Sequence, residues 1–380
     1  MRFNRFWRYR RFLLSPRFAV AVWRSRGNLL AATRSRRLAA GPYLAELDIT
    51  YRCNCRCLMC QRWQDTRDAE LTCGEYQKLA VDFKRLGVHQ VTIAGGEPLM
   101  RKDAFAIIGA FADANMVVNL CTNGLLLEDR IAEVCSSGLS FVTLSLDGAT
   151  ADCHDRIRGV PGSLALIENG IRALLAQKRR PFVRVRMALS NSNVQELCSY
   201  YHKWTNIVDD VLIQPVHYCR DAYYTGHSEA EFHLDPDRLT EQLNGTPFKK
   251  DLYAQGLAAG LRRGGTYPVR PCHAGVLMAR VDPWGNVFPC LEQHIRVGSV
   301  REHEFPVIWN STLFAQGRKR TADNGQCTCW YNNTALISHY GKWLALTSAE
   351  GLWQGFRRRF SRAGHHGDRL KGSRTGTDVE

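Results

Sequence analysis

Long apolar segments and an export signal are both missing from this sequence. No uninterrupted apolar run approaches the roughly 20 residues that a membrane-spanning helix needs. The best candidate, Phe18–Trp23, is far too short. Arginines follow that run as closely as they precede it, which is not the layout of a secretory signal peptide. We therefore expect a cytoplasmic protein.

Acidic residues are also missing from the beginning of the chain. Residues 1–40 contain eleven arginines and no Asp or Glu, and the first acidic residue is Glu46. The whole chain carries a formal charge of +15. Removing the eleven arginines leaves about +4 for the rest, so the strong positive charge belongs to the N-terminal segment.

The basic segment also carries apolar side chains at near-helical spacing. They are Phe3, Phe6, Trp7, Leu13 and Leu14. A basic amphipathic helix of this kind suits peripheral contact with an anionic membrane surface, and it equally suits a helix packed on the protein body with solvated arginines. Residues 352–360 have a similar character. Nucleic acid ranks last as a partner, because no recognisable nucleic-acid-binding fold accompanies the arginines.

From residue 44 the chain alternates strand-like and helix-like segments. The predicted strands, rich in Val, Ile, Leu and Thr, are Leu44–Thr50, Gln90–Ala94, Met116–Cys121, Phe141–Leu146, Phe182–Leu189 and Val211–Val216. The predicted helices lie near residues 74–86, 102–114, 128–137, 163–178 and 193–206. This alternation predicts a parallel α/β unit, either a partial barrel or an open doubly wound sheet.

In both architectures, functional residues follow the carboxyl ends of the strands. The unusual residues of this sequence obey that rule. A cysteine group follows the first predicted strand, Gly95–Pro98 follows the second, Thr122–Gly124 follows the third, and Ser145–Asp147 end the fourth. We therefore expect all four groups to meet at one rim.

The first cysteine group has the spacing C-x3-C-x2-C, formed by Cys53, Cys57 and Cys60. Three thiolates on one short loop can hold three corners of a 4Fe–4S cubane and leave its fourth iron open. A zinc site is the alternative for the cysteines alone. Cys55 lies between them and is interpreted as a non-ligating residue.

This spacing, together with Gly95-Gly96-Glu97-Pro98, resembles the radical S-adenosylmethionine (SAM) superfamily. The resemblance implies a partial (β/α)6, TIM-like barrel and a 4Fe–4S cluster whose open iron chelates SAM. Reductive cleavage of SAM then produces a 5′-deoxyadenosyl radical, which abstracts a hydrogen atom from a substrate C–H bond. It also implies a reductant such as flavodoxin or ferredoxin.

The resemblance assigns SAM-binding roles to six residues: Gly95, Gly96, Glu97, Asn123, Ser145 and Arg158. Glu97 would contact the methionine ammonium, and the two glycines would let the backbone approach SAM. Asn123 and Ser145 are candidates for the ribose and amino-acid parts, and Arg158 for the carboxylate. The family often has an aromatic residue near the adenine, just before the third cysteine, where this chain has Met59.

A second cysteine group comprises Cys272, Cys290, Cys327 and Cys329. Residues 281–290 resemble the D-x-x-G-x-V-x-P-C hairpin of SPASM and Twitch extensions, which implies a small cysteine-rich domain with a second, auxiliary 4Fe–4S cluster. The family more often spaces its last cysteine pair more widely than Cys327 and Cys329. If only one of them is a ligand, an open iron could bind substrate. A zinc knuckle, and ligation by His273 or His294, remain alternatives.

The sequence therefore predicts an α/β enzyme with several segments. They are a basic amphipathic segment (1–40), a radical SAM core (41–235), a helical connector (236–267), a SPASM/Twitch-like domain (268–335) and a tail that is first helical and then disordered (336–380). The first functional hypothesis is oxidation, epimerisation or bond formation on a small-molecule, sugar or lipid-linked substrate. The second is maturation of a ribosomally made peptide, although 43 residues before the barrel are few for a peptide-recognition domain. The third is a zinc-binding scaffold without redox chemistry.

Overall fold

A computed structural model describes residues 9–33, 38–65, 67–216, 234–264, 272–290, 294–323 and 330. Its strands are β1 (Leu44–Thr50), β2 (Gln90–Gly95), β3 (Val117–Thr122), β4 (Phe141–Ser145), β5 (Phe182–Leu189), β6 (Asp210–Pro215), β7 (Met278–Val281), β8 (Asn286–Phe288) and β9 (Gly298–Ser299). They form one sheet in the order β6-β5-β4-β3-β2-β1-β7-β8-β9. Because β6 and β9 are its edges, the sheet is an incomplete barrel, as the sequence predicted.

Helices cover the outer face of this sheet. They are α1 (Pro16–Thr33), α2 (Cys73–Leu86), α3 (Ala104–Asp113), α4 (Ile131–Ser136), α5 (Ala151–Arg158), α6 (Ser163–Leu175), α7 (Leu197–Trp204), α8 (Pro236–Asn244), α9 (Leu252–Leu261), α10 (Phe305–Trp309) and α11 (Thr312–Asp323). Short 3₁₀ turns occur at Arg62–Gln64, Pro98–Met100, Glu128–Arg130, Val194–Glu196 and Pro247–Lys250. One large hydrophobic core lies between the helices and the strands.

Strands β1 to β6 pair in parallel, each with its neighbour in sequence. Every residue of β1 is buried, as expected for a parallel strand with both faces covered. The predicted strand positions agree with the structure to within one residue at each end. The sequence did not predict α5, which begins at a Thr150 cap and ends at Gly159 in the left-handed conformation.

The second cysteine region joins the same sheet as the barrel. Strand β7 pairs in parallel with β1, with Leu44 opposite Met278. Strands β7 and β8 then form the predicted antiparallel hairpin. The domain division remains a prediction, but the sheet itself runs without interruption from the barrel into the hairpin.

The N-terminal segment packs across the amino ends of the barrel strands. Tyr9 donates a hydrogen bond to Asp210 at 2.7 Å, and its ring contacts Phe141 and Phe182, the first residues of β4 and β5. Asn28 of α1 donates to the carbonyls of Ala40 and Gly41, just before β1. The segment therefore lies at the end of the barrel opposite the strand carboxyl ends. Across the described ranges, the structure contains no helix with the length and apolar character required to span a membrane.

Candidate active site

The loop that carries the first cysteines is fixed by the carboxyl end of α5. The backbone N–H of Arg56 donates to the Arg158 carbonyl at 3.0 Å, and that of Leu58 donates to the Ile157 carbonyl at 2.9 Å. Helix-end carbonyls have no partner within their own helix, so the loop satisfies two of them. Gly159 follows with φ +67°, and a Cβ there would lie 2.5 Å from the Arg56 carbonyl oxygen. The close approach therefore requires glycine.

Cys53, Cys57 and Cys60 line one cavity at this loop, together with Cys55. Hydrogen bonding from Cys55 lowers the pKa of Cys57 to about 6, against burial, which raises it; the charge of Arg158 contributes to the lowering. The same hydrogen bonding lowers the pKa of Cys53 and raises that of Cys55. Cys53 and Cys57 therefore favour the thiolate form, which is the form that iron binds. Cys55 favours the protonated thiol.

The donor set fits an iron–sulfur cluster. A cubane binds each cysteine through a different iron, and Cys53, Cys57 and Cys60 on one loop would supply three such ligands. Burial raises the pKa of Cys60, so its thiolate would form on binding the metal. Three cysteine ligands would leave the fourth iron open.

The Gly95–Pro98 turn is built around the buried carboxylate of Glu97. It accepts hydrogen bonds from the Leu99 N–H at 2.9 Å, the Thr122 hydroxyl at 2.8 Å and the Asn123 N–H at 2.7 Å. Glu97 is fully buried, and it ties the end of β2 to the end of β3. Gly95 and Gly96 line the cavity. Direct contact between Glu97 and SAM stays a prediction, because the structure shows Glu97 engaged with the protein.

Asn123, Ser145 and Arg158 face the same cavity as the cysteines. The Asn123 side chain donates to Asn54 Oδ1 at 2.7 Å, which connects the β3 end to the cysteine loop. Arg158 Nη1 donates to Cys57 Sγ at 3.6 Å. The structure therefore brings five of the six residues that the sequence assigned to SAM to one cavity, whereas Glu97 is buried behind its wall and bonded to the Asn123 N–H.

Several cavity residues were not predicted from the sequence. Trp63 lines the cavity three positions after Cys60 and donates from Nε1 to the Cys60 carbonyl at 3.1 Å. It offers the aromatic surface that Met59 does not. The cavity walls also carry charged and polar groups that were not predicted, namely Glu46, Arg62, Cys121, Arg186 and Gln214. The cavity volume is about 180 Å³.

In the second cysteine region, Cys272 and Cys290 pack together with Leu44 and Met278. Cys327 and Cys329 lie outside the described residues, so their ligation stays a prediction. Burial lowers the pKa of His273, next to Cys272, to about 4. This pair, with Cys290 buried and Cys272 half-buried, lies near the amino end of β1, whereas the first cysteine loop follows its carboxyl end.

The structure is an open parallel barrel with a three-thiol loop and a glycine-rich turn at its catalytic rim. This combination defines a class of iron–sulfur enzymes that act through an adenosyl radical. Comparison with known proteins agrees with this class. Residues 47–201 match the family model described as "Radical SAM superfamily", and residues 272–330 match an "Iron-sulfur cluster-binding domain", SPASM. The chain belongs to the radical SAM superfamily and is a radical SAM enzyme with a SPASM-type extension.

The relatives differ in what they make. An AdoMet-dependent heme synthase from Methanosarcina barkeri is 26% identical over 307 residues, 75% of this chain and 87% of the relative. The mycofactocin maturase MftC from Mycobacterium tuberculosis is 26% identical over 295 residues, 73% of each chain. A PqqA peptide cyclase from Rhodopseudomonas palustris is 32% identical over 127 residues, 33% of this chain and 34% of the relative.

Streptococcus suis SuiB, solved with bound SAM, shares the fold. Its TM-score is 0.58 at 15% identity, with 76% of this chain and 70% of SuiB covered. The two family-model matches, and not the likeness to SuiB, show that the enzyme uses SAM, a 4Fe–4S cluster and an auxiliary iron–sulfur cluster. When bound, the first cluster supplies the electron that cleaves SAM. The protein holds the cysteine loop and shapes the cavity.

Iron and sulfide content tests the assignment of the cysteines. Two 4Fe–4S clusters would give about eight irons and eight sulfides in anaerobically reconstituted protein. Replacing Cys53, Cys57 and Cys60 by Ala should leave about four of each and abolish SAM cleavage. Cys135→Ala, on α4 and outside both groups, is the matched control and should retain all eight. Stoichiometric zinc without sulfide in the wild type would refute the assignment.

Glu97→Ala should weaken SAM binding while the clusters still assemble. The substitution leaves two buried N–H groups unpaired and frees the turn that presents Gly95 and Gly96. Hydrogen bonds to a charged group contribute about 1.5–3 kcal/mol, so SAM affinity should fall about tenfold or more. Isothermal titration under anaerobic conditions measures it, with Glu133→Ala on α4 as control. An unchanged affinity would remove Glu97 from the SAM site.

Proposed function

We propose that this enzyme is a maturase that modifies a ribosomally made peptide. The observation that carries the proposal is the extent of the cavity along the rim of the barrel. Its walls continue from the cysteine loop to Arg186 on β5 and Gln214 on β6.

The chemistry of these walls suits a peptide. Glu46, Arg186 and Gln214 are charged or amide side chains on the inner faces of three strands. A peptide backbone carries an N–H and a C=O at every residue, and each needs a partner once it leaves water. The similarity to MftC and to a PqqA peptide cyclase supports this function over the small-molecule, sugar or lipid-linked substrates that the sequence first suggested.

Haem-precursor chemistry is the second candidate, because the similarity to the heme synthase extends over 87% of that relative. The two candidates differ in the origin of the abstracted hydrogen atom, which makes them separable by experiment.

Hydrogen transfer from a labelled substrate tests the proposal. The reduced holoenzyme is incubated with SAM and synthetic peptides encoded beside its gene, deuterated at their side chains. We expect deuterium in 5′-deoxyadenosine and a peptide of altered mass, both read by mass spectrometry. The Cys53, Cys57 and Cys60 triple variant is the control. Turnover of haem-precursor porphyrins, with every such peptide unchanged, would favour the second candidate.

We further propose that the outer face of α1 contacts an anionic membrane surface. Val20 and Trp23 point outward, with 47% and 73% of their surface exposed, whereas the polar Ser25 and Asn28 are buried against the barrel. Leu14 is also exposed, and arginines surround these three residues: Arg10, Arg11, Arg17 and Arg24 are all exposed. An apolar outward face with basic neighbours matches the interfacial region of an anionic bilayer. It lies opposite the cavity, so it supports attachment of the enzyme and not delivery of a lipid-linked substrate.

Vesicle co-sedimentation tests this surface. Wild-type protein should bind phosphatidylglycerol vesicles at low salt and should not bind phosphatidylcholine vesicles. High salt should release the protein, because it shortens the Debye length and weakens the attraction between the arginines and the anionic lipids. The Val20→Ala/Trp23→Ala variant should lose most binding. The matched control, Leu166→Ala/Val307→Ala, removes equally exposed apolar side chains elsewhere and should bind normally. Equal binding of both variants would contradict the proposal.

A further inference from the structure

Arg158 is the last residue of α5, and its side chain turns back towards the cysteine loop. Only 11% of the side chain is exposed. Nη1 donates to Cys57 Sγ at 3.6 Å, and Nη2 lies 2.8 Å from Asp147 Oδ2. The guanidinium thus bridges a cysteine of the cluster loop and a carboxylate at the end of β4.

Asp147 is held in place independently of Arg158. Its side chain is fully buried, and Oδ1 accepts a hydrogen bond from the Ala188 N–H of β5 at 2.8 Å. Its other oxygen faces the guanidinium. Burial is the largest single effect and disfavours the charged form of Arg158, but the Asp147 carboxylate together with Cys57 and Cys55 outweighs it and raises the arginine pKa. Arg158 is therefore a permanent cation at a fixed position.

We propose that Arg158 sets the reduction potential of the SAM-binding cluster by donating a charge-assisted hydrogen bond to the thiolate of Cys57. Reduction adds one electron to the cluster and makes it more negative. A cation and an N–H···S bond at a ligand sulfur stabilise that reduced form, and both are known determinants of cluster potential. Asp147 offsets part of this effect and holds the guanidinium against Cys57.

This role differs from the carboxylate-binding role that the sequence suggested for Arg158. A residue that only binds SAM leaves the SAM-free cluster unchanged. A residue that donates to Cys57 changes the cluster before SAM arrives. The proposal rests on ligation by Cys57 and not on the identity of the substrate, so the peptide proposal can fail without affecting it.

The test is a redox titration of the reconstituted holoenzyme without SAM, followed by electron paramagnetic resonance. Parallel samples with SAM identify the signal of the first cluster, because that signal changes on SAM binding. Arg158→Gln should shift its midpoint potential to a more negative value, and Arg158→Lys should recover part of the shift.

Arg56→Gln is the matched control. Arg56 lies on the same loop, but its guanidinium donates to the Cys53 and Cys55 carbonyls and stacks on Trp63, not on a ligand sulfur. The midpoint potential of the first cluster in Arg56→Gln, measured without SAM, should equal that of the wild type. An unchanged SAM-free potential in Arg158→Gln, even with weaker SAM binding, would overturn the proposal. An equal shift in Arg56→Gln would also overturn it, because net charge alone would then account for the effect.

Discussion

The pairing of β1 with a parallel strand on each side is the constraint on which the rest of the structure depends. Leu44 lies opposite Gln90 of β2 and opposite Met278 of β7. The first cysteine loop follows the carboxyl end of β1, and the buried Cys290 packs beside its amino end. Seven residues at about 3.3 Å each separate these regions by on the order of 20 Å. One rigid strand therefore fixes the spacing of both cysteine groups.

Charged groups buried inside this barrel lose their hydration, and ion pairs and hydrogen bonds offset that loss of free energy. The inner face of β1 carries Asp48, which is fully buried and pairs with Arg62 at 2.9 Å. Arg280 of β7 lies 4.0 Å from the same carboxylate. Glu97 accepts three hydrogen bonds. An unpaired buried charge would destabilise the fold by several kcal/mol, so each carboxylate is held where the cavity needs a fixed wall.

The sequence predicted the barrel strands and the rim residues because both have strong local signals. It missed α5, since Ala151–Arg158 is short and polar and lacks an apolar stripe, although Thr150 and Gly159 mark its ends. The contact of Arg158 with Cys57 was missed for the same reason. Arg186 was overlooked inside a strand, yet the alternating burial along β5 puts its side chain on the inner face. Trp63 had no local signal, because its place in the cavity depends on the fold of the whole loop.

The cavity extends along the rim of the barrel to its last parallel strand. Gln214, Pro215 and Val216, at the carboxyl end of β6, line the same cavity as the cysteine loop that follows β1. Because the carboxyl ends of parallel strands meet at one edge of a sheet, one cavity joins side chains that are far apart in the sequence. The peptide proposal uses this breadth, since an extended chain would lie along the rim and place one residue beside the cluster.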